Sequence, residues 1–158
     1  DPIMVRKSIL TLLFVVLGTG AASACPDWQL APSFGSTELT EGFPNDPWHR
    51  SITAGGNQSI SRCFQDNSLA GSSASAPDFD LYYRTSGNTQ LKIYVRSDYD
   101  TVLLVSDPYG EWWFDDDSAG GHDPMVIFPY AADGLYNIWI GSYERRSGQP
   151  ATLIFTER

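Results

Sequence analysis

The second half of the sequence alternates apolar and polar residues with a period of two, and this alternation constrains the fold most strongly. Every second residue is apolar along 79–84 and again along 91–96. Such alternation is typical of a half-buried β-strand, and helical periodicity is almost absent. Further short strands are predicted at residues 101–106, 111–114, 125–128, 135–142 and 151–156. About eight to nine short strands separated by turns predict an all-β fold, an antiparallel, jelly-roll-like β-sandwich.

The first 24 residues have the order of a secretory signal peptide. A basic pair at residues 6–7 precedes an apolar run at 9–17, and small residues ending in Ala22-Ser23-Ala24 follow. Residues 1–3 precede Met4 and are interpreted as vector residues. The apolar run has about half the length that spans a bilayer, so no membrane span is predicted.

The remaining chain divides by composition into two parts. Residues 25–47 are rich in Pro, Gly, Ser and Thr and are interpreted as an irregular lead-in. Residues 48–158 are interpreted as the sandwich domain, beginning with two strands around 48–53 and 58–63.

The two cysteines, Cys25 and Cys63, both follow the predicted cleavage site. In an oxidising compartment an even number of cysteines favours a disulfide, and here one intrachain pairing can form. The alternative is lipidation of Cys25, because a cysteine directly after a signal sequence is similar to a bacterial lipoprotein site. That motif prefers Leu where this chain has Ala22. We therefore predict a secreted or periplasmic protein with a disulfide.

The charge of the chain is strongly acidic, which excludes some classes of partner. The chain has ten Lys and Arg residues and nineteen Asp and Glu residues, which gives a net charge of -9. A chain without a basic stripe is not expected to bind nucleic acid. Binding to an anionic membrane surface is disfavoured for the same reason.

Many of the carboxylates are predicted to lie at one end of the sandwich. Successive connections between antiparallel strands alternate between the two ends. Counting from the 97–100 turn, this rule gathers Asp78, Asp98, Asp100, Asp115, Asp116, Asp117, Asp123 and Glu144. Calcium takes six to eight oxygen ligands and would relieve the repulsion among them. The predicted ligands are Asp98, Asp100, Asp115, Asp116, Asp117 and Asp123. The alternative is a solvated acidic rim without an ion.

Three tryptophans suggest a second functional surface. Trp112 and Trp113 are adjacent on a predicted strand, so one of them faces outward. Trp139 faces away from its neighbours Ile138 and Ile140. Exposed tryptophans suit the binding of carbohydrate or protein. The alternative is that the 25–47 lead-in covers these rings.

A short stretch, Asp117-Ser118-Ala119-Gly120-Gly121, is faintly similar to the Gly-Asp-Ser-Gly-Gly nucleophile motif of chymotrypsin-like peptidases. Catalysis by Ser118 would require a histidine base within hydrogen-bond reach. The sequence offers His49 and His122. Both are interpreted as surface or loop residues, and Ser118 as a loop hydroxyl.

Four motifs resemble the bacterial pre-peptidase C-terminal domain. They lie at residues 98–105, 107–110, 115–117 and 134–141, and the resemblance covers about 48–157. That family comprises secreted β-sandwich modules that accompany extracellular proteases, and related modules bind calcium or matrix polymers. The resemblance implies a secreted, non-enzymatic, calcium-binding module that recognises an extracellular polymer or protein. The alternatives are a secreted hydrolase related to serine peptidases and a purely structural envelope protein, and the oligomeric state stays open.

Overall fold

The structure, a computed structural model, describes residues 25–158, which form eleven strands and one short helix. The elements are β1 Ser36–Thr40, β2 Trp48–Gly55, β3 Gln58–Ser59, α1 Ile60–Phe64, β4 Ser72–Ser73, β5 Phe79–Arg84, β6 Leu91–Arg96, β7 Thr101–Ser106, β8 Trp112–Asp115, β9 Met125–Phe128, β10 Gly134–Ser142 and β11 Ser147–Thr156. The predicted signal peptide, residues 1–24, lies outside the described residues. Within the described residues, no helix is long and apolar enough to cross a membrane.

Two sheets form a sandwich, which confirms the predicted all-β fold. In sheet A, the long strand β10 pairs with β5, β4 and β7, and the sheet continues to β1, β3 and β8. Sheet B has the order β2-β11-β6-β9 and is antiparallel throughout. One pair departs from the antiparallel pattern, because β1 runs parallel to β5.

The alternating residues of both sheets form the core between them. Leu91, Ile93 and Val95 of β6 are fully buried, as the period-two pattern predicts. At one edge of the core, Trp48 stacks on Phe155 with ring centroids 5.0 Å apart. Burial of these apolar side chains supplies most of the free energy of folding.

Two predictions about the first half of the chain are wrong. The 25–47 lead-in is not wholly irregular, because β1 lies within it. The period-two signal is missing there, since Leu39 is the one large apolar residue of the strand, and pairing with β5 stabilises it instead. The strand predicted around 58–63 ends after two residues, where α1 begins. The helix buries Ile60 completely and brings Phe64 against Trp112, at 5.1 Å between ring centroids.

The outer face of sheet A is covered by residues 60–71 and 74–77, which we call the covering segment. The carbonyl of Ser75 in this segment accepts hydrogen bonds from the indole of Trp139 and from the amide of Asp27. A disulfide joins Cys25 to Cys63 with a Cα–Cα distance of 5.5 Å, which confirms the predicted pairing. The bond therefore ties the lead-in to α1 on top of the sheet.

Candidate functional site

Three loops meet at one end of the sandwich, as strand parity predicts. The amide of Tyr143 donates to the carbonyl of Asp100 at 3.0 Å, which joins the β10–β11 turn to the β6–β7 turn. The amide of Ser97 donates to the carboxylate of Asp123 at 3.1 Å, which joins the β6–β7 turn to the β8–β9 loop. We call this the acidic end.

Four carboxylates form a cluster at the acidic end. Asp115, Asp116 and Asp117 each offer a carboxylate oxygen, and these three oxygens lie within 4.8 Å of one another. Asp100 lies close enough to interact electrostatically with Asp116 and Asp117. We call these four residues the acidic cluster.

The electrostatics of the acidic cluster disfavour its charged form. Partial burial raises the pKa of Asp116, and the charges of Asp117, Asp115 and Asp100 raise it further. Burial also raises the pKa of Asp100, opposed by His122 and reinforced by Glu144 and Asp117. Two like charges about 4 Å apart repel by about 4 kcal/mol at an effective dielectric constant near 20. A cation between them would remove this repulsion.

Asp115 also organises the loop that carries the cluster. Its carboxylate accepts hydrogen bonds from the hydroxyl and the amide of Ser118, at 2.6 and 2.9 Å, and from the amide of Met125 at 2.8 Å. Gly120 and Gly121 have φ angles of 96° and 68°, so the loop turns through the left-handed region that favours glycine. The cluster is therefore held by a defined loop rather than by a free acidic tail.

Two of the six predicted ligands lie beside the cluster rather than in it. Asp123 forms an ion pair with Arg96 at 3.0 Å, so an arginine of the protein already compensates its charge. Asp98 is exposed and lines, with Asp123 and Arg96, a groove on the outer face of sheet B.

Two further carboxylates were assigned to this end by parity, and for Asp78 the prediction is wrong. Asp78 is buried within sheet A, where it accepts a hydrogen bond from the amide of Ile140 at 2.6 Å. The reason is that β10 extends past the start of β5, so the residue before β5 is still inside the sheet. Glu144 does lie at the acidic end, but it is exposed and paired with Arg146 at 2.9 Å.

The donor set of the acidic cluster fits a hard cation such as Ca²⁺. Calcium is bound by carboxylate and carbonyl oxygens in a flexible geometry. Besides the four carboxylates, the hydroxyl oxygen of Thr101, next to Asp100, is buried and has no hydrogen-bond partner within residues 25–158. The raised pKa values of Asp100 and Asp116 show that the protein itself does not fully compensate the charge of the cluster.

At the opposite end of the sandwich, aromatic rings line a cleft of about 350 Å³. We call it the aromatic cleft; its lining includes Asp107, Tyr109, Glu111, Trp113, Tyr130 and Tyr136. Tyr109 and Tyr130 are 81% and 78% exposed, and Trp113 is 41% exposed. The Trp113 ring packs edge-on against Phe128 with centroids 5.4 Å apart. Exposed aromatic side chains around a concavity are typical of a binding surface.

The three tryptophans predicted to bind a ligand have different surroundings. Trp113 lines the aromatic cleft, and Trp112 is half-buried between Phe64 and Trp139. For Trp139 the prediction of a surface role is wrong, because its ring is fully buried. It does face away from the core, but the covering segment lies over it, rather than the lead-in alone.

Within residues 25–158, Ser118 is not part of an assembled catalytic triad. The hydroxyl of Ser118 donates to Asp115, and no hydrogen bond joins Ser118 to His49 or His122 within residues 25–158. His122 instead lies 3.6 Å from Asp100, and His49 is an exposed residue of β2.

Sequence reasoning missed Asp107, Tyr109 and Tyr130 as residues of one surface. The Asp-Pro-Tyr-Gly turn at 107–110 is visible in the sequence, but there it indicated only a turn and a motif similar to the pre-peptidase C-terminal domain. The same parity rule that gathered the acidic loops also places residues 107–110 beside 129–134. Applying it to aromatic residues as well as to carboxylates would have found the cleft.

No protein-family model and no curated protein matches the chain. Among solved structures, it is similar to the pre-peptidase C-terminal domain of a collagenase from Bacillus anthracis. The identity is 10%, the TM-score is 0.45, and the alignment covers 77% of this chain and 94% of that domain. It is also similar to PliG from Aeromonas hydrophila, a periplasmic lysozyme inhibitor of g-type lysozyme. Here the identity is 14%, the TM-score is 0.38, and the coverage is 77% and 96%. The first of these belongs to the family that the sequence motifs resemble.

Proposed function

We propose that the protein is a non-enzymatic, extracellular or periplasmic binding module that holds calcium at its acidic end and recognises a polymer or protein. The single observation that carries the calcium assignment is the acidic cluster, with three carboxylate oxygens within 4.8 Å of one another. The disulfide supports the compartment, because such bonds persist in oxidising surroundings.

Calcium would act as a structural ion in this proposal. Asp100 lies on the β6–β7 turn, and Asp115, Asp116 and Asp117 lie at the end of β8 and the start of the β8–β9 loop, so an ion shared by them would join these two connections. No chemical step is assigned to the ion. Its role would be to compensate the charges that raise the pKa of Asp100 and Asp116.

The proposed recognition role rests on a different observation, the exposed rings of the aromatic cleft. Tyr109, Trp113 and Tyr130 present flat apolar faces with polar edges, and the hydrogen bond from the Trp113 indole to Asp107 fixes one of them at 2.9 Å. A fixed ring loses little conformational entropy on binding. The two roles use opposite ends of the sandwich and can be tested separately.

The calcium proposal is tested by thermal unfolding in calcium and in chelator. A ligand that binds only the folded state stabilises it by RT ln(1 + [L]/Kd). At a hundredfold excess over Kd this is about 2.7 kcal/mol, which corresponds to a rise in Tm of about 5–10 °C for a chain of this size. Magnesium should raise Tm less, because it demands octahedral geometry and keeps its waters.

Two matched variants identify the site. Asp116→Asn should abolish the calcium response without lowering the stability measured in chelator, since the variant also removes repulsion. Asp98→Asn removes one carboxylate from the same end of the sandwich but outside the acidic cluster, and should keep the response. Identical melting curves in calcium and chelator would show that the acidic end is a solvated rim.

A further inference from the structure

The aromatic cleft carries an unbalanced negative charge. Its lining includes two carboxylates, of Asp107 and Glu111, and none of the described residues that line it is Lys, Arg or His. This charge lies at the opposite end of the sandwich from the acidic cluster, so an ion bound there would not neutralise it. The cleft is therefore complementary to a cationic group rather than to a neutral or acidic one.

The two carboxylates of the cleft differ in how they are used. Both carboxylate oxygens of Asp107 accept hydrogen bonds from the protein. One oxygen accepts from the amides of Tyr109 and Glu111, both at 2.9 Å. The other accepts from the indole of Trp113, also at 2.9 Å. Glu111 is exposed, and its carboxylate makes no hydrogen bond or ion pair within residues 25–158. Asp107 thus positions the ring, and Glu111 is available to a ligand.

The rings provide the second element of cation recognition. The faces of Trp and Tyr rings carry partial negative charge and attract a cation held within about 6 Å of the centroid. Trp113 is buttressed by Phe128, which is itself packed edge-on against Tyr136 with centroids 5.2 Å apart. Tyr109 and Tyr130 stand on the two loops that bound the cleft, at 107–110 and 129–134, and are largely exposed.

We propose that the aromatic cleft receives an arginine or lysine side chain from a basic segment of a partner protein, with the cation between the rings and the carboxylate of Glu111. This inference rests on the recognition role proposed above and names its partner as a basic protein. The net charge of -9 for the whole chain adds long-range attraction for such a partner.

The test titrates the protein with a short blocked peptide, acetyl-Gly-Arg-Gly-amide, and follows the indole N–H resonance of Trp113 by NMR. The matched peptide with citrulline in place of arginine keeps the shape and loses the charge. We expect the citrulline peptide to bind about tenfold more weakly, because it can form neither the cation–π contact nor the ion pair. Binding of the arginine peptide should also weaken as salt is raised.

Three variants locate the binding. Glu111→Gln should weaken binding of the arginine peptide about three- to tenfold, with little change for the citrulline peptide. Tyr130→Ala, at a largely exposed ring, should weaken binding without unfolding the protein. Tyr143→Ala is the matched control, since this ring is 46% exposed but lies at the acidic end, and it should leave binding unchanged.

A neutral N-acetylglucosamine hexamer completes the test. Equal binding of the arginine and citrulline peptides, or no effect of Glu111→Gln, would overturn the inference. Binding of the hexamer alone would overturn it while leaving the recognition role in place. If neither the peptides nor the hexamer moved the Trp113 resonance, the recognition role of the aromatic cleft would fall as well.

Discussion

The outer faces of the two sheets differ in their exposure to solvent. On sheet A, Trp139 is fully buried beneath the covering segment, and Asp80 and Asn137 form a buried hydrogen bond of 2.9 Å on the same face. On sheet B, Ser51 and Thr53 are exposed on the outer side of β2. A period-two pattern tells which residues of a strand share a face, but it does not tell whether that face meets solvent or another segment. The covering segment shields the outer face of sheet A from solvent, whereas the outer side of β2 in sheet B is exposed.

The largest expected effect comes from opening the covered face. Trp139→Ala removes a fully buried ring together with its contacts to Trp112, and should lower the free energy of unfolding by about 3–5 kcal/mol. Urea denaturation monitored by circular dichroism measures the loss. The control is Thr53→Ala on the open face of sheet B, which should change stability by less than about 0.5 kcal/mol. Equal losses in the two variants would show that the covering segment adds no burial of consequence.

The disulfide should matter next. Replacing Cys25 and Cys63 together by Ser releases a loop closed over 38 residues and should cost about 3–4 kcal/mol in the chain-entropy description. The loss of stability should begin in the lead-in. The amides of Asp27 and Ser33 donate to the carbonyls of Ser75 and Pro77. They should lose protection from hydrogen exchange before the amides of β10 do. Simultaneous loss in both places would show that the lead-in is an inseparable part of sheet A.

The buried carboxyl of Asp78 gives the smallest of the three effects and one that depends on pH. Burial raises its pKa to about 7, against which the hydrogen bond from Ile140 acts weakly. Because the folded state then holds a proton that the unfolded chain releases near pH 4, this group's contribution to stability is lost as the pH rises towards 7. The contribution of this group should fall by about 2–3 kcal/mol between pH 5 and pH 8.

Asp78→Asn should flatten this dependence, and the variant should be more stable than the parent protein at pH 8. Chemical denaturation at several pH values measures it. Asp98→Asn, at an exposed carboxylate, is the control and should keep the slope of the parent protein. A parent protein whose stability profile matches that of Asp78→Asn would show that water reaches the carboxyl inside sheet A.

Strand pairing made most of the fold and much of the candidate site predictable. The alternation along 79–84 and 91–96 predicted both ends of β5 and of β6 correctly, because both strands bury one face against the core. The rule that successive connections alternate between the two ends predicted that Asp100 and Asp117, which lie on different connections, are at the same end of the sandwich. These successes share a cause: a strand and its turns follow rules that are local in sequence.

The failures share a cause too, because they concern segments whose structure depends on distant contacts. β1 carries little apolar signal and is stabilised by β5, while Glu41 just after it accepts hydrogen bonds from the amide of Ser86 and the hydroxyls of Thr85 and Thr89. Residues 60–64 form a helix whose tertiary contacts are distant in sequence, such as that of Phe64 with Trp112. Asp78 looks like a loop residue because the sequence does not show the register of β10 on β5, and therefore does not show that β10 continues past the start of β5.

The position of β10 and β11 in the sheets has a consequence for the order of events during synthesis. β10 lies between β5 and β7, and β11 lies between β2 and β6, so each sheet is centred on one of the last two strands. When residue 133 has left the ribosome, the residues of β1 to β9 have been synthesised. Neither sheet yet has the strand that joins its two halves. Pairing over such long sequence separations is slow, since the entropy of closing the loops must be overcome first. The nascent chain therefore cannot assemble the sandwich from its beginning: sheet A can be completed only after residues 134–142 emerge, and sheet B only after residues 147–156.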